Sequence, residues 1–328
     1  MTKVVRLHKP GGPEALVIDD IEVGAPGEGE VKVQIKAIGL NRAEILFRQG
    51  GYIAPPSYPA LIGYEAAGVV MAAGPGVTGF KAGDRVSIIP NFQQGKYGVY
   101  GEQAIVPAHA LTPIPDGLSF EQGASIWMQY MTAMGIIQHG KAGLGDFVII
   151  TAASSSVGIA AIQLANWAGA TSIAATRTSA KAKALTAQGA HHVIATEEQD
   201  LVKEVMRITG GKGARIVFDP VGGPYVETLA GAMAEEGILF IYGGLSGQPT
   251  PYPHWAAAMR GLSLRGWVAS AIWNKPHRFA KARDIVLQGL AEGHLKPVIA
   301  KTFPLDQIAD AHRYMESNQQ IGKVVVTT

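Results

Sequence analysis

Between residues 147 and 266 short apolar runs alternate with helix-like stretches, and few folds accept that pattern. Residues 147–151 form a continuous apolar run, as in a strand covered on both faces. Residues 157–167 then set Ile159, Ile162 and Trp167 among alanines and predict a helix. Strand-like runs recur at 172–176, 192–194, 215–219, 238–242 and 262–266. Helices are expected at 180–188, 200–208 and 225–233 between them. Strands joined by crossover helices run parallel, so six of them predict a doubly wound α/β sheet of the dinucleotide-binding kind.

The flanks read differently. Residues 30–37 alternate polar and apolar with period two, a half-buried strand after the turn at 26–29. Glycine and proline punctuate the chain densely as far as Gly83, which predicts a small β barrel or sandwich. Past residue 271 a helix is expected over 276–292, a strand at 298–299, a helix over 308–315 and a strand at 323–327. That final strand is expected to return to the first β block. The expected organisation is a discontinuous catalytic domain, 1–123 with 272–328, into which a nucleotide domain, 124–271, is inserted, with a cleft between them.

The turn Thr151-Ala152-Ala153-Ser154-Ser155-Ser156-Val157-Gly158 joins the first parallel strand to its helix. Small residues there let backbone N–H groups approach a pyrophosphate, where the helix dipole also favours an anion. Ala153 and Ser155 stand where the first two glycines of Gly-x-Gly-x-x-Gly would be, and Gly158 holds the third place. An NAD site sets an acidic residue about 20 residues on, at the end of the second strand, to bind the ribose 2′-OH. No Asp or Glu occurs from residue 147 to residue 196. Thr176 ends the strand, Arg177 follows it, and Lys181 comes one helical turn later, positions suited to a 2′-phosphate. NADPH is therefore the expected cofactor. Lys183 reads as a solvated helix charge.

Other chemistries lack an anchor. The chain contains no cysteine, which excludes disulfides, thiolate nucleophiles and cysteine-bound zinc. Its nine histidines include no His-Glu-x-x-His, and the adjacent His191 and His192 point to opposite faces of a strand, so no metal site is expected. No Gly-x-Ser-x-Gly elbow is present. A formal charge of +2 gives little attraction for nucleic acid, so no nucleic-acid partner is expected. No run of about 18 apolar residues predicts a membrane span, and no signal peptide is read at the start, so a cytoplasmic protein is expected. The cofactor must then carry the reaction.

Five segments together resemble the medium-chain dehydrogenase/reductase superfamily, in its zinc-independent quinone oxidoreductase-like branch. They are Ile-Gly-Leu-Asn-Arg-Ala-Glu at 38–44, Pro-Ala-Leu-Ile-Gly-Tyr-Glu-Ala-Ala-Gly at 59–68, Gly-Asp-Arg-Val at 83–86, the 152–158 turn, and Gly-Lys-Val-Val-Val at 322–326. Zinc members of the superfamily use a Cys, the His of Gly-His-Glu, and another Cys or Asp. Here the first position falls near Asn41 and the His position is Tyr64, while the four-cysteine structural lobe is missing. The resemblance implies a GroES-like β-rich domain joined to a Rossmann domain, and a homodimer. It places Asn41 beside the nicotinamide, with Thr132, Tyr242, Gly243, Gly244 and Trp267 near the cofactor and Asn318 and Lys323 as further contacts.

The expected reaction is hydride transfer from NADPH to an electrophilic small molecule, a quinone or the β-carbon of an α,β-unsaturated carbonyl. Tyr52, Tyr64 and Tyr130 are the candidate donors to the developing oxyanion, and Tyr52 is preferred because it follows Gly50-Gly51 in a loop. Two alternatives stay open: an enoyl-thioester reductase, and a catalytically weak NADPH-binding relative with a structural or RNA-binding role.

Overall fold

The computed structural model describes residues 1–52 and 55–328. They form two compact units, Met1–Met128 with Pro297–Thr328, and Gln129–Lys296.

The first unit is built on the long strand Glu30–Gly39. Val31, Val33 and Ile35 are fully buried on one face, as the alternation predicts. Ala37 faces a second small cluster with Ala67, Ile114, Ala124 and Val325, so the strand is buried on both sides at its end. It pairs antiparallel with Glu65–Ala73 and with Gln103–Pro107. It also pairs with Lys323–Thr327, with Val325 opposite Gly39. The returning chain thus supplies an interior strand of this sheet, whose order is Ile299–Pro304, Lys323–Thr327, Glu30–Gly39, Glu65–Ala73, Arg85–Ile88, Leu111–Pro113. A three-stranded sheet of Leu16–Ile21, Thr2–Leu7 and Ala60–Leu61 completes the β structure of this unit among the described residues.

A buried polar joint fixes the returning helix Ile308–Glu316 to the first block. The fully buried Arg48 guanidinium donates to Glu316 Oε1 at 2.6 Å, to the Gly11 carbonyl at 3.1 Å and to His312 Nδ1 at 3.0 Å. A guanidinium only donates, so Nδ1 accepts and the ring proton sits on Nε2, which faces the Tyr100 oxygen at 3.1 Å. Burial, then the neighbouring Arg48 charge, push the His312 pKa down to about 3.

The second unit holds a six-stranded parallel sheet in the order His192–Ala195, Thr171–Thr176, Phe147–Ile150, Ala214–Asp219, Met233–Ile241, Ser263–Gly266. In sequence rank that order is 3-2-1-4-5-6, so the winding reverses between the first and fourth strands. Ligands of such sheets bind outside the carboxyl ends of the strands at that reversal.

The unit boundaries differ from the sequence expectation of 124–271. The helix Pro276–Ala291 belongs with the parallel sheet, not with the β-rich unit. It buries Ala282, Val286 and Gly289, and a Cβ at Gly289 would come within 2.9 Å of Trp167. The Arg278 carbonyl accepts from Gln138 Nε2 at 3.2 Å. Two further helices, Trp127–Gln138 and His254–Arg260, were absent from the sequence reading.

Candidate functional site

In the second unit the chain leaves the strand Phe147–Ile150 and turns through Thr151–Ser155 into the helix Ser156–Trp167. Ala152 holds a positive φ of 45°, a conformation an L-residue adopts at a cost. Ser155 caps the helix, its hydroxyl accepting from Gly158 N at 3.0 Å. Gly158 is required sterically: a Cβ there would lie 2.5 Å from the Ala153 carbonyl oxygen and 2.6 Å from its Cα. Because the obstacle is backbone, no side-chain rotation relieves it. Gly158→Ala should therefore cost about 1–3 kcal/mol of stability and weaken dinucleotide binding at least tenfold. Thermal melting and a fluorescence titration with NADPH check both, and unchanged values would remove the steric reading.

Lys181 ends the short helix Ser179–Lys181 and reaches back across the turn, its Nζ 3.0 Å from Ser154 Oγ. Burial and the nearby Arg177 charge lower its pKa. Arg177 is exposed just past the second strand. The first acids beyond the strand in sequence, Glu197 and Glu198, return to this loop: Glu197 N donates to the Arg177 carbonyl at 2.9 Å, and Glu198 Oε1 accepts from Ser179 N at 2.9 Å. Thr176, half-buried, offers its carbonyl to Thr196 N at 2.8 Å.

A residue that the sequence reading did not assign frames the reversal point. Asp219 is fully buried at the end of the fourth strand. It accepts from Thr151 Oγ1, from Val221 N at 3.2 Å and from Gly222 N at 2.7 Å, which ties the first strand to the fourth. Burial raises its pKa. Its only sequence signal is a lone acid closing an apolar run. Beside it the Tyr242 ring stacks on Phe218 at 4.2 Å, and burial raises the pKa of its phenol. The Tyr242 hydroxyl is a buried polar atom with no hydrogen-bond partner, the kind of orphan that a bound polar ligand can satisfy. Gly243 is tight, since a Cβ would meet the Pro220 carbonyl oxygen at 2.7 Å, whereas Gly244 has open space. Trp267 Nε1 donates to the Thr132 carbonyl at 2.7 Å, so these two predicted residues hold each other. Tyr130 is fully buried, its hydroxyl donates to Gln163 Oε1 at 2.7 Å, and burial raises its pKa.

In the first unit Asn41 caps the helix Arg42–Arg48 in a capping box with Glu44. Glu44 is fully buried and also accepts from Tyr64 N at 3.1 Å. Burial raises its pKa to about 7, against the lowering effect of Lys323. Asn318, with a positive φ of 59°, accepts from the Arg42 guanidinium next to Asn41. The Lys323 side chain has no exposed surface, and Nζ donates to Asn41 Oδ1 and Glu65 Oε2, each at 2.6 Å. Tyr52 and Tyr64 meet edge to face at 6.4 Å, and Phe92 and Tyr97 extend the row at 5.9 and 6.1 Å. The pKa of Tyr52 is raised by burial and by Glu44, and that of Tyr64 by burial, Tyr52 and Glu44, which keeps both as O–H donors.

Residues 27–116 match the alcohol dehydrogenase GroES-like domain model, and residues 188–326 match a model described as zinc-binding dehydrogenase. A 2-haloacrylate reductase from a Burkholderia species is 33% identical over 343 aligned positions, spanning 99% of each chain. The chain belongs to the medium-chain dehydrogenase/reductase superfamily, in its quinone oxidoreductase-like branch. The crystal structure of Escherichia coli quinone oxidoreductase complexed with NADPH superposes with a TM-score of 0.91 at 30% identity, covering 99% of this chain and 100% of that one. A structure titled NAD-dependent alcohol dehydrogenase superposes with a TM-score of 0.89 at 33% identity, covering 99% of both. The β-rich unit is thus the GroES-like domain of this superfamily and the parallel unit its Rossmann domain.

The zinc of some superfamily members does not fit this chain. Among the described residues no three His, Cys, Asp or Glu side chains gather as a metal would need. Tyr64 precedes Glu65, and that carboxylate is taken by Lys323 and by backbone N–H groups. A dinucleotide does fit, by the cradle at Gly158, the Arg177–Lys181 pair and the orphan Tyr242 hydroxyl. Among the described residues no helix is long and apolar enough to cross a membrane.

Proposed function

We propose that this protein is a zinc-independent, NADPH-dependent oxidoreductase that reduces a quinone or an α,β-unsaturated carbonyl. The observation that carries the reading is the serine turn at the sheet reversal, with Lys181 folded back onto Ser154 and no Asp or Glu in residues 147–196. NADPH is the cofactor: the backbone N–H groups of residues 154–158 would hold its pyrophosphate, and Arg177 and Lys181 its 2′-phosphate. When bound it supplies the hydride.

The chain's own residues orient, hold protons and exclude water. Asn41 presents a fixed carboxamide edge, and Tyr52, kept protonated by burial and by Glu44, donates to the oxygen on which charge develops. The aromatic row Tyr52, Tyr64, Phe92 and Tyr97 suits a neutral planar acceptor. The cations on the adjoining elements, Arg42, Arg48 and Lys323, are all engaged by acceptors of the protein. A carboxylate such as that of a haloacrylate would have to seek the exposed Lys96, which lies over the Tyr97 ring at 5.1 Å.

The test is NADPH oxidation followed by absorbance with a quinone, an enone, 2-chloroacrylate and an enoyl thioester as acceptors. Turnover with the quinone or enone supports the reading. Tight NADPH binding with no turnover on any acceptor would instead favour the binding-protein alternative. Tyr52→Phe should lower kcat about 10- to 100-fold while the NADPH dissociation constant stays within twofold. An unchanged kcat removes Tyr52 from the mechanism.

A further inference from the structure

We propose that Lys323 and Glu65 are positioning residues that lock the carboxamide of Asn41 in one orientation. The inference rests on the reading of Asn41 as a residue of the reaction site. Lys323 and Glu65 are buried, with 1% and 0% of their surface exposed, and neither side chain has solvent to turn to. Burying an ion pair is costly unless every polar atom finds a partner. Here they do: Glu65 Oε2 takes Lys323 Nζ, and Oε1 accepts from Trp127 N at 2.6 Å and Met128 N at 3.1 Å. The carboxylate is thereby held by backbone, and it holds the ammonium.

The ammonium in turn decides which way Asn41 faces. Lysine has donors only, so the Asn41 atom 2.6 Å from Nζ must be the oxygen. The amide nitrogen then points to acceptors, the Gly39 carbonyl at 3.0 Å and Glu44 Oε1 at 3.4 Å. A flipped amide would set NH₂ against NH₃⁺ and the amide oxygen against a carbonyl and a carboxylate, so both ends reject it. Space for this is built into the strand: a Cβ at Gly39 would lie 2.7 Å from Lys323 Cε. Asn41, only 8% exposed, therefore offers one fixed edge, and preorganised polar edges of this kind are what a developing charge requires.

The experiment is a double-mutant cycle on kcat and on NADPH affinity, joined to an NMR measurement on the ligand-free protein. Lys323→Met and Asn41→Ala should each lower kcat about tenfold with the NADPH dissociation constant within twofold. Combined, they should lower it no further, because Lys323 acts only through Asn41. Glu65→Gln with Lys323→Met removes both buried charges together and guards against misfolding of the single variant; it should show the same loss of kcat. In the ligand-free protein the Asn41 side-chain amide should give a resolved pair of ¹H–¹⁵N signals that collapses toward the solvent-exposed position in Lys323→Met and in Glu65→Gln with Lys323→Met. Independent, multiplying losses of kcat, full activity in the charge-free pair, or an unaltered Asn41 amide signal would each overturn the proposal. Failure to bind NADPH with the amide signal behaving as expected would count against the proposed function instead.

Discussion

Replacing Arg177 and Lys181 together by alanine should raise the KM for NADPH at least 100-fold and leave the KM for NADH within a fewfold of its starting value. Each charge-assisted hydrogen bond to a phosphate contributes about 1.5–3 kcal/mol, and two of them convert to two or more orders of magnitude. The selectivity follows from position. Arg177 stands just past the second parallel strand, and Lys181 is anchored to the phosphate turn through Ser154. Removing them takes nothing from the pyrophosphate cradle, whose donors are backbone. Steady-state kinetics with both cofactors decides the matter. Equal losses for NADH and NADPH would show that these cations serve the turn rather than the 2′-phosphate.

Arg48→Met should be the most destabilising single change outside the nucleotide unit. It leaves the half-buried Glu316, the Gly11 carbonyl and His312 Nδ1 without their common donor. Breaking a buried pair of this kind costs about 3–5 kcal/mol, which in a unit of this size lowers the melting temperature by roughly 10 °C. The same joint gives a pH dependence whose sign is fixed. His312 titrates near 3 in the folded chain and near 6.5 unfolded, so below about pH 6.5 the unfolded state takes up a proton that the folded state refuses. Stability is therefore full above pH 6.5 and declines as pH falls toward 3, by about 1.4 kcal/mol per unit from this one group. Denaturant titrations from pH 4 to 8 on wild type and His312→Gln measure it: the variant should lack that part of the acid slope. Parallel curves for the two proteins would place the titration elsewhere.

What the sequence made legible was what depends on neighbours along the chain. The inner strands Phe147–Ile150, Thr171–Thr176 and Ala214–Asp219 showed as apolar runs because both faces of the sheet are covered there, and the serine turn showed because strand, cap and helix start are contiguous. The helix Trp127–Gln138 escaped notice because it is apolar on nearly every side and carries no 3.6-residue period. The helix Pro276–Ala291 was visible as a helix, yet its pattern does not say which core receives it; that depends on Trp167 and Gly289 meeting across the fold. Within the site, Asn41 and Tyr64 stood out by resemblance, while their supports did not. Glu65 and Lys323 are 258 positions apart, and only the antiparallel pairing of Val325 with Gly39 brings them together. Tyr130 drew attention as a phenol in a suggestive segment, whereas the bond from its hydroxyl to Gln163 forms only in the fold.

The interior placement of Lys323–Thr327 sets an order of events during synthesis. The Rossmann domain is a continuous stretch, Gln129–Lys296, and can condense while later codons are still being read. The GroES-like domain must wait with its central sheet incomplete, since one of the three partners of Glu30–Gly39 leaves the ribosome nearly three hundred residues after it. A nascent chain stalled before residue 323 would thus carry a finished nucleotide fold beside an open β edge, a species that chaperones and proteases would meet first.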